Sequence, residues 1–352
     1  MYRAQIQLRM GDVNLKAVRL TTPGSLDGLT LGSEATPEVG PRDVLVRLRA
    51  ASLNFRDTIV VSGHYPGPLK PQGVPLSDGA GDVVAIGNQV QRIKVGDRVA
   101  GSCWTHWIAG PFLQEYHAHA IGMTQDGTLS EFVVLDENAV VRLPDYLTYG
   151  EAASLPCASV SAWSALTFGE PLTPGQTILT QGTGGVALIA LQLAKSFGAK
   201  VISITSSDKK ADILKELGAD EVINYSKMPN WHQQVLDLTN GIGVDKIVEI
   251  GGEKTIEQSA ACARIGGEIG LVGYVTGFGG GLPPLAIMVR SLLLKGISMG
   301  PRTTFEALLR AMAVTEIRPV IDSVYSFSDF KEAYRRLASG QHVGKVVIEH
   351  NF

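Results

Sequence analysis

Cysteine is scarce in this chain. Cys103, Cys157 and Cys262 are all it has, and they lie far apart. That excludes a disulfide framework and a Cys-x-x-Cys metal site, and it suits a reducing, cytoplasmic setting. Charge of one sign is lacking too: 31 basic and 34 acidic side chains leave a net −3. Nothing in that balance argues for nucleic acid or an anionic membrane as a partner. Long apolar runs are missing. The nearest candidate, Leu282–Leu294, is interrupted by Pro283, Pro284 and Arg290, so no segment reads as a membrane span. The opening M-Y-R-A-Q-I-Q-L-R is too short and polar for a signal peptide. Met10 is an alternative start, because strand-like patterning begins only near Leu15.

What is present is apolar surface and glycine. Hydrophobic residues make up 45% of the 352, enough for a sizeable core, and 40 glycines imply many turns. The chain is organised around Thr177–Lys210. A β-branched run, Thr177–Thr180, leads into Gly182-Thr183-Gly184-Gly185-Val186-Ala187. Apolar residues then recur at helical spacing to Phe197, Gly198 closes the helix, and Lys200–Thr205 is a second strand. Strand, glycine turn, helix and strand are the context of a dinucleotide fingerprint. Gly182 permits the tight turn, and Gly184 lets a pyrophosphate approach the backbone. Ala187 is small enough for the helix to pack on the sheet. Gly185 and Val186 open the helix whose free amides face the phosphates.

The end of the second strand bears on the choice of cofactor. An NAD site usually carries an acid there for the ribose 2′-hydroxyl. Here Thr205, Ser206 and Ser207 stand at the strand end, with Lys209 and Lys210 just beyond. Hydroxyls and lysines suit a 2′-phosphate, so the expected cofactor is NADPH. Asp208 is the dissenting residue, and Ser207 or Asp208 is also a natural helix N-cap.

The flanking patterns divide the chain. Short strand-like runs at 15–20, 44–48, 82–86, 97–100, 129–135 and 139–143 predict an antiparallel, barrel-like β domain. Helix is expected over 150–168. After Lys200–Thr205, helices at 208–217, 231–238, 254–263 and 285–294 alternate with strands at 221–224, 245–250, 268–272 and 296–299. Six strands with intervening helices make a doubly wound parallel sheet. The tail carries two helices and a last strand, 345–348, expected to return to the β domain. The predicted division is 1–157 with 303–352, against 158–302. The sheet-edge strand 296–299 predicts a homodimer, since bare edges invite pairing.

Six motifs in this order resemble the medium-chain dehydrogenase/reductase family over nearly the whole chain: L-N-F-R-D (Leu53–Asp57), S-D-G-A-G (Ser77–Gly81), V-G-D-R-V (Val95–Val99), G-T-G-G-V-A (Gly182–Ala187), L-G-A-D (Leu217–Asp220) and V-G-K-V-V-I (Val343–Ile348). The resemblance implies an α/β fold: a GroES-like β-barrel domain joined to a Rossmann domain, with the active site between them. By alignment, the catalytic zinc ligands of alcohol dehydrogenases in this family fall on Asn54, Ser77 and Cys157. One thiol of three ligands remains, and a catalytic zinc needs about three. The region of the structural zinc loop keeps only Cys103, with His106, His117 and His119, which read as a polar loop. The chain is therefore similar to the zinc-independent branch, the quinone oxidoreductases and enoyl reductase domains. S-G-H-Y-P-G at Ser62–Gly67 is close to that branch.

That branch passes a hydride from NADPH to an activated C=C bond or a quinone. The resemblance implies that Asn54 hydrogen-bonds the substrate carbonyl or the nicotinamide ribose. It implies that Tyr65 donates to a developing enolate. Ile59 stands where some quinone reductases carry a second Tyr. Asp57 is expected to orient backbone rather than transfer protons. Lys210 aligns with a 2′-phosphate lysine. Val272 and Gly273 are expected near the nicotinamide, Gly300 and Arg302 along the cofactor cleft, and Lys345 at the cofactor phosphates. The leading reading is an NADPH-dependent enone, enal or quinone reductase acting on a small molecule. A carbonyl reductase or alcohol dehydrogenase of the same family, and a non-catalytic NADPH-binding protein, are the alternatives.

Overall fold

A computed structural model describes residues 14–351; the polar opening and the alternative start at Met10 lie outside them. Two sheets dominate. The first begins after a two-stranded ribbon, β1 (Asn14–Leu20) with β2 (Leu29–Ala35). Its strands are β3 (Asp43–Ser52), β4 (Asp78–Ile86), β5 (Arg98–Gly101), β6 (Phe132–Asp136) and β7 (Val140–Arg142). Val44, Val46 and Leu48 of β3 are buried with Val83, Val99 and Val133, the period-2 alternation of a strand with one face on a core. β2 escaped the sequence reading because Gly32 interrupts it and most of its residues face solvent.

The second sheet is built from β8 (Thr177–Gln181), β9 (Lys200–Thr205), β10 (Glu221–Asn224), β11 (Val244–Glu249), β12 (Ala263–Leu271) and β13 (Leu293–Gly296). All six are parallel, in the order β10-β9-β8-β11-β12-β13. This is the doubly wound Rossmann order, with its switch point between β8 and β11. Ligands in such sheets bind at the carboxyl ends of the strands beside that point.

Ten helices are labelled in chain order: α1 (Phe55–Val61), α2 (Tyr149–Ala153), α3 (Val160–Thr167), α4 (Gly185–Ser196), α5 (Asp208–Glu216), α6 (Trp231–Leu238), α7 (Ile256–Cys262), α8 (Pro284–Arg290), α9 (Arg302–Thr315) and α10 (Phe330–Ala338). The helix expected over 150–168 is broken. Pro156 cannot donate an amide, and a π-turn at Leu155–Ser159 separates α2 from α3. The helix expected over 285–294 stops early. Ser291 adopts a left-handed conformation (φ 50°), and the amides of Ser291 and Leu292 close onto Met288 and Ile287. The edge strand therefore runs over Leu293–Gly296, not 296–299.

The tail returns to the first sheet. β15 (Lys345–Glu349) pairs antiparallel with β3, Ile348 opposite Ala51, and parallel with β14 (Ile321–Ser326). β14 was missed because its six residues are only partly buried and mix polar with apolar side chains.

Candidate active site

β8 is buried from Ile178 to Gln181 and ends against the glycine turn. Gly182 has φ +79°, where a side chain would strain the backbone. A Cβ on Gly182 or Gly184 would meet nothing within 4 Å, so the turn opens onto free space. Gly184 is the N-cap of α4 and offers no side-chain cap, which leaves the first amides of the helix available. An open, uncapped cradle fits a pyrophosphate. Thr183 and Val186 flank it, and Ala187 is fully buried under α4. Gly185 opens α4 and has a packing reason as well: a Cβ there would lie 2.5 Å from Cδ of Lys345. It makes room for that side chain.

A buried network fixes the neighbouring strand ends. Gln181 accepts from the amides of Ile250 and Gly251 at 3.0 Å each and donates to Glu249 at 2.6 Å. Glu249 takes the amide of Gly252 at 2.9 Å. The sequence reading assigned these residues no role, because a buried Gln–Glu pair has no motif of its own.

At the end of β9, Thr205 holds its hydroxyl buried without a partner. Ser206 is exposed, and Ser207 caps α5 by accepting from the amide of Lys210. Asp208 is turned away, to Asn224 Nδ2 at 2.8 Å and Lys227 Nζ at 2.6 Å. Lys210 reaches across to the carbonyl of Gly340 at 3.1 Å. Burial and then the nearby Arg336 lower its pKa. Asp322 anchors the facing loop: it takes both Arg336 nitrogens, at 2.7 and 2.8 Å, and the Val343 amide at 2.9 Å. His342 sits in that loop with Nδ1 buried and unpartnered. Only the fold brings it beside Lys210, so nothing local in the sequence marks it.

The other end of the site is more heavily bonded. Asn54 precedes α1 and is 8% exposed. Asp57 accepts from its backbone amide at 2.7 Å, so Asp57 orients backbone as expected. Burial pushes the Asp57 carboxyl up to about 6, although Arg56 and that amide pull the other way. The Asn54 side-chain oxygen accepts from Lys345 Nζ at 2.6 Å, and its Nδ2 is buried with no partner. Lys345 also donates to the Leu53 carbonyl at 2.7 Å and lies 3.8 Å from Asp78. Its ammonium is thus held at the Asn54 end. Its alkyl stem lies against Gly185 of the glycine turn, and its neighbour Gly344 bridges Gly184 and donates to the Thr183 carbonyl at 2.8 Å.

The positions of the zinc ligands are filled by a different chemistry. Arg56 donates to Ser77 Oγ at 2.5 Å. Ser77 donates to Asp78 at 2.6 Å, and Asp78 also receives the Cys157 amide at 3.1 Å and the Cys103 thiol at 3.5 Å. Its hydrogen bond with Cys103, helped by Arg56 and Lys345, brings the Cys157 thiol down; burial pushes Cys103 up. A guanidinium bonded to the second ligand position, with an amide at the first, does not fit a zinc ion. Among the described residues, no group of three or more His, Cys, Asp or Glu side chains is arranged to hold a metal. His106 and His119 stack at 3.6 Å, and His117 meets Trp104 edge-on.

The remaining expected residues divide. Tyr65 packs partly buried on the main core, and Gly67 leaves space for its ring. Val272 and Gly273 follow β12 and both donate to the Glu249 carbonyl, at the switch-point end of the sheet. Just beyond, Tyr274 meets Phe55 at 6.0 Å and Phe278 at 4.7 Å, an aromatic bridge between the two halves. Gly300 is a packing glycine: a Cβ there would lie 2.8 Å from Ser164 Oγ on α3. Arg302 opens α9 with its Nε 3.7 Å from Glu306, beside Arg92, and its Nε and Nη1 are buried with no hydrogen-bond partner.

Comparison with known proteins agrees with this geometry. Residues 40–145 match the alcohol dehydrogenase GroES-like domain, and residues 185–314 match the zinc-binding dehydrogenase family. A zinc-type alcohol dehydrogenase-like protein of Schizosaccharomyces pombe is 40% identical over 324 residues, 90% of this chain and 93% of the relative. The chain belongs to the medium-chain dehydrogenase/reductase family. Its quinone oxidoreductase-like branch is represented by the quinone oxidoreductase of Pseudomonas aeruginosa, 33% identical over 348 residues, 95% of this chain and 99% of the relative. A mycobacterial protein solved with NADPH superposes with a TM-score of 0.79 at 26% identity, covering 96% of this chain and all of that one. This member of the medium-chain dehydrogenase/reductases is an oxidoreductase, and the family uses a nicotinamide cofactor. Among the described residues, no helix is long and apolar enough to cross a membrane.

Proposed function

We propose that this oxidoreductase uses NADPH to reduce an activated C=C bond or a quinone in a small molecule, without zinc. The observation that carries the reading is Asn54. Its oxygen is fixed by Lys345 and its Nδ2 is buried without a partner, so one aimed donor remains for a substrate carbonyl or the ribose. The glycine turn would hold the pyrophosphate, and Thr205, Ser206, Ser207 and Lys210 the adenosine end. The bound nicotinamide supplies the hydride. The protein's own part is to orient the acceptor and to offer donors where negative charge develops. Tyr65 on the barrel side and the Phe55–Tyr274 pair that bridges the two halves would wall the site. The Lys227 and Asn224 contacts of Asp208 favour NADPH, because they leave its carboxylate turned from the strand end.

Two further parts of the reading concern organisation. The chain divides into 1–157 with 303–352 and 158–302. The second copy in a homodimer would cover α8 and the edge of β13, where Leu285, Met288, Val289 and Leu293 are 62%, 72%, 61% and 46% exposed. The reductase reading is tested by NADPH oxidation across quinones, 2-alkenals, enoyl thioesters and ketones. Turnover of alkenals or quinones well above ketones is the expected result. Ketone reduction alone, or no turnover of any acceptor, would overturn it.

A further inference from the structure

We infer that Arg56 binds the carbonyl oxygen of the substrate and holds the negative charge that gathers there during reduction. The inference rests on the reductase reading and names the group that would polarise the acceptor. Arg56 is an under-partnered cation. Nη2 donates to the neutral Ser77 hydroxyl, Nη1 has only the Met299 thioether at 3.8 Å, and Nε is buried with no partner. Among the described residues no carboxylate lies within ion-pair distance of it; Asp78, the nearest in the network, is taken by Ser77, Cys157 and Cys103.

A guanidinium has five donors in a fixed fork, and leaving buried ones unused is costly. The site supplies a second unused donor, Asn54 Nδ2, two residues earlier. Asn54 and Arg56 stand at the two ends of one chain of contacts, Asn54–Lys345–Asp78–Ser77–Arg56. Two free donors on a rigid, buried frame are the makings of an oxyanion site. Burial penalises the charge of Arg56, yet Cys157, Cys103, Asp57 and Asp78 outweigh it and raise its pKa. It therefore acts as a fixed positive donor and not as a proton source.

The step balances as follows. The β-carbon of an α,β-unsaturated carbonyl compound gains a C–H bond by taking hydride from a dihydronicotinamide, which is oxidised. The C=C electron pair moves to give an enolate whose charge rests on oxygen, against Arg56. A proton from solvent then forms the second C–H bond at the α-carbon, and the saturated carbonyl compound leaves.

The test uses Arg56→Met and Arg56→Lys in the full chain. Crotonate serves as a carboxylate probe, titrated into protein loaded with NADP+. Arg56→Met should bind crotonate about tenfold or more weakly, and lose about ten- to a hundredfold in kcat/KM on any acceptor found. NADPH affinity should hold. Arg56→Lys should recover part of both, and methylguanidine should restore activity to Arg56→Met. Unchanged crotonate binding in a folded Arg56→Met, or no crotonate binding by the wild type, overturns the inference. Crotonate binding decides Arg56 even if no acceptor is reduced, an outcome that would sink only the reductase reading.

Discussion

Lys345 donates to the side-chain oxygen of Asn54 at 2.6 Å, across 291 positions of sequence. One residue belongs to the last strand and the other to the start of the first helix. The contact fixes which way the Asn54 amide faces, because an ammonium can only donate. Lys345→Met should therefore lower kcat/KM by about ten- to a hundredfold, the worth of one charge-assisted hydrogen bond. NADPH affinity should stay nearly constant. Steady-state kinetics beside cofactor titration separates the two, and a loss confined to NADPH binding would return Lys345 to a phosphate-binding role.

Purified protein should carry no stoichiometric zinc, since Asn54 and Ser77 replace two ligands and Arg56 bonds the second. Elemental analysis decides this. One zinc per chain, lost together with activity on chelation, would refute it.

Lys210→Ala should weaken NADPH by about ten- to a hundredfold and leave NADH nearly unchanged. Titrating both cofactors into both proteins reads the difference. Equal losses would mean that Lys210 serves the Gly340 carbonyl alone, and tighter NADH than NADPH in the wild type would reverse the cofactor assignment.

Asp322 gives a pH dependence. Burial alone would raise its pKa, but the Arg336 fork, the Val343 amide and Ser323 bring it down to about 2. A depressed carboxylate contributes stability that is present above its unfolded pKa of about 3.9 and is lost as pH falls toward its folded value. Urea midpoints should thus drop between about pH 4 and pH 2. Asp322→Asn should be less stable at neutral pH and show a flatter fall over that window. Parallel profiles for the two proteins would show that the pair contributes nothing.

The exposed apolar face of α8 should be buried in a homodimer. Light scattering at micromolar concentration should give twice the chain mass, and Met288→Glu with Val289→Glu should give monomers that keep their fold. A wild-type monomer would remove the proposal.

The fold was legible where patterns are local. The glycine turn and its flanking strands follow from periodicity and small residues between Thr177 and Thr205, and the parallel sheet from the strand–helix alternation that continues beyond them. The segment 284–296 was misread because Leu292, Leu293 and Leu294 suit a helix or a strand equally, and the left-handed turn at Ser291 carries no glycine to announce it. At the candidate site, Asn54 and Lys345 were both singled out, but their contact was not, since it depends on β15 returning to β3. Arg56 lay inside a quoted motif. Its place in the buried network appears only when Ser77, Cys103 and Cys157 converge on Asp78. Gly185 and Gly300 each also serve packing that no local pattern shows, one against Lys345 and the other against Ser164.

The pairing of β15 with β3 also bears on how the molecule is made. The first sheet gains this partner only after all six parallel strands have been synthesised. On the ribosome the later half can close first, and the earlier half must wait with Ala50, Ala51 and Ser52 lacking a neighbour on that side. Limited proteolysis of stalled nascent chains would expose that order as cleavage within 43–52 that stops once residue 349 has emerged.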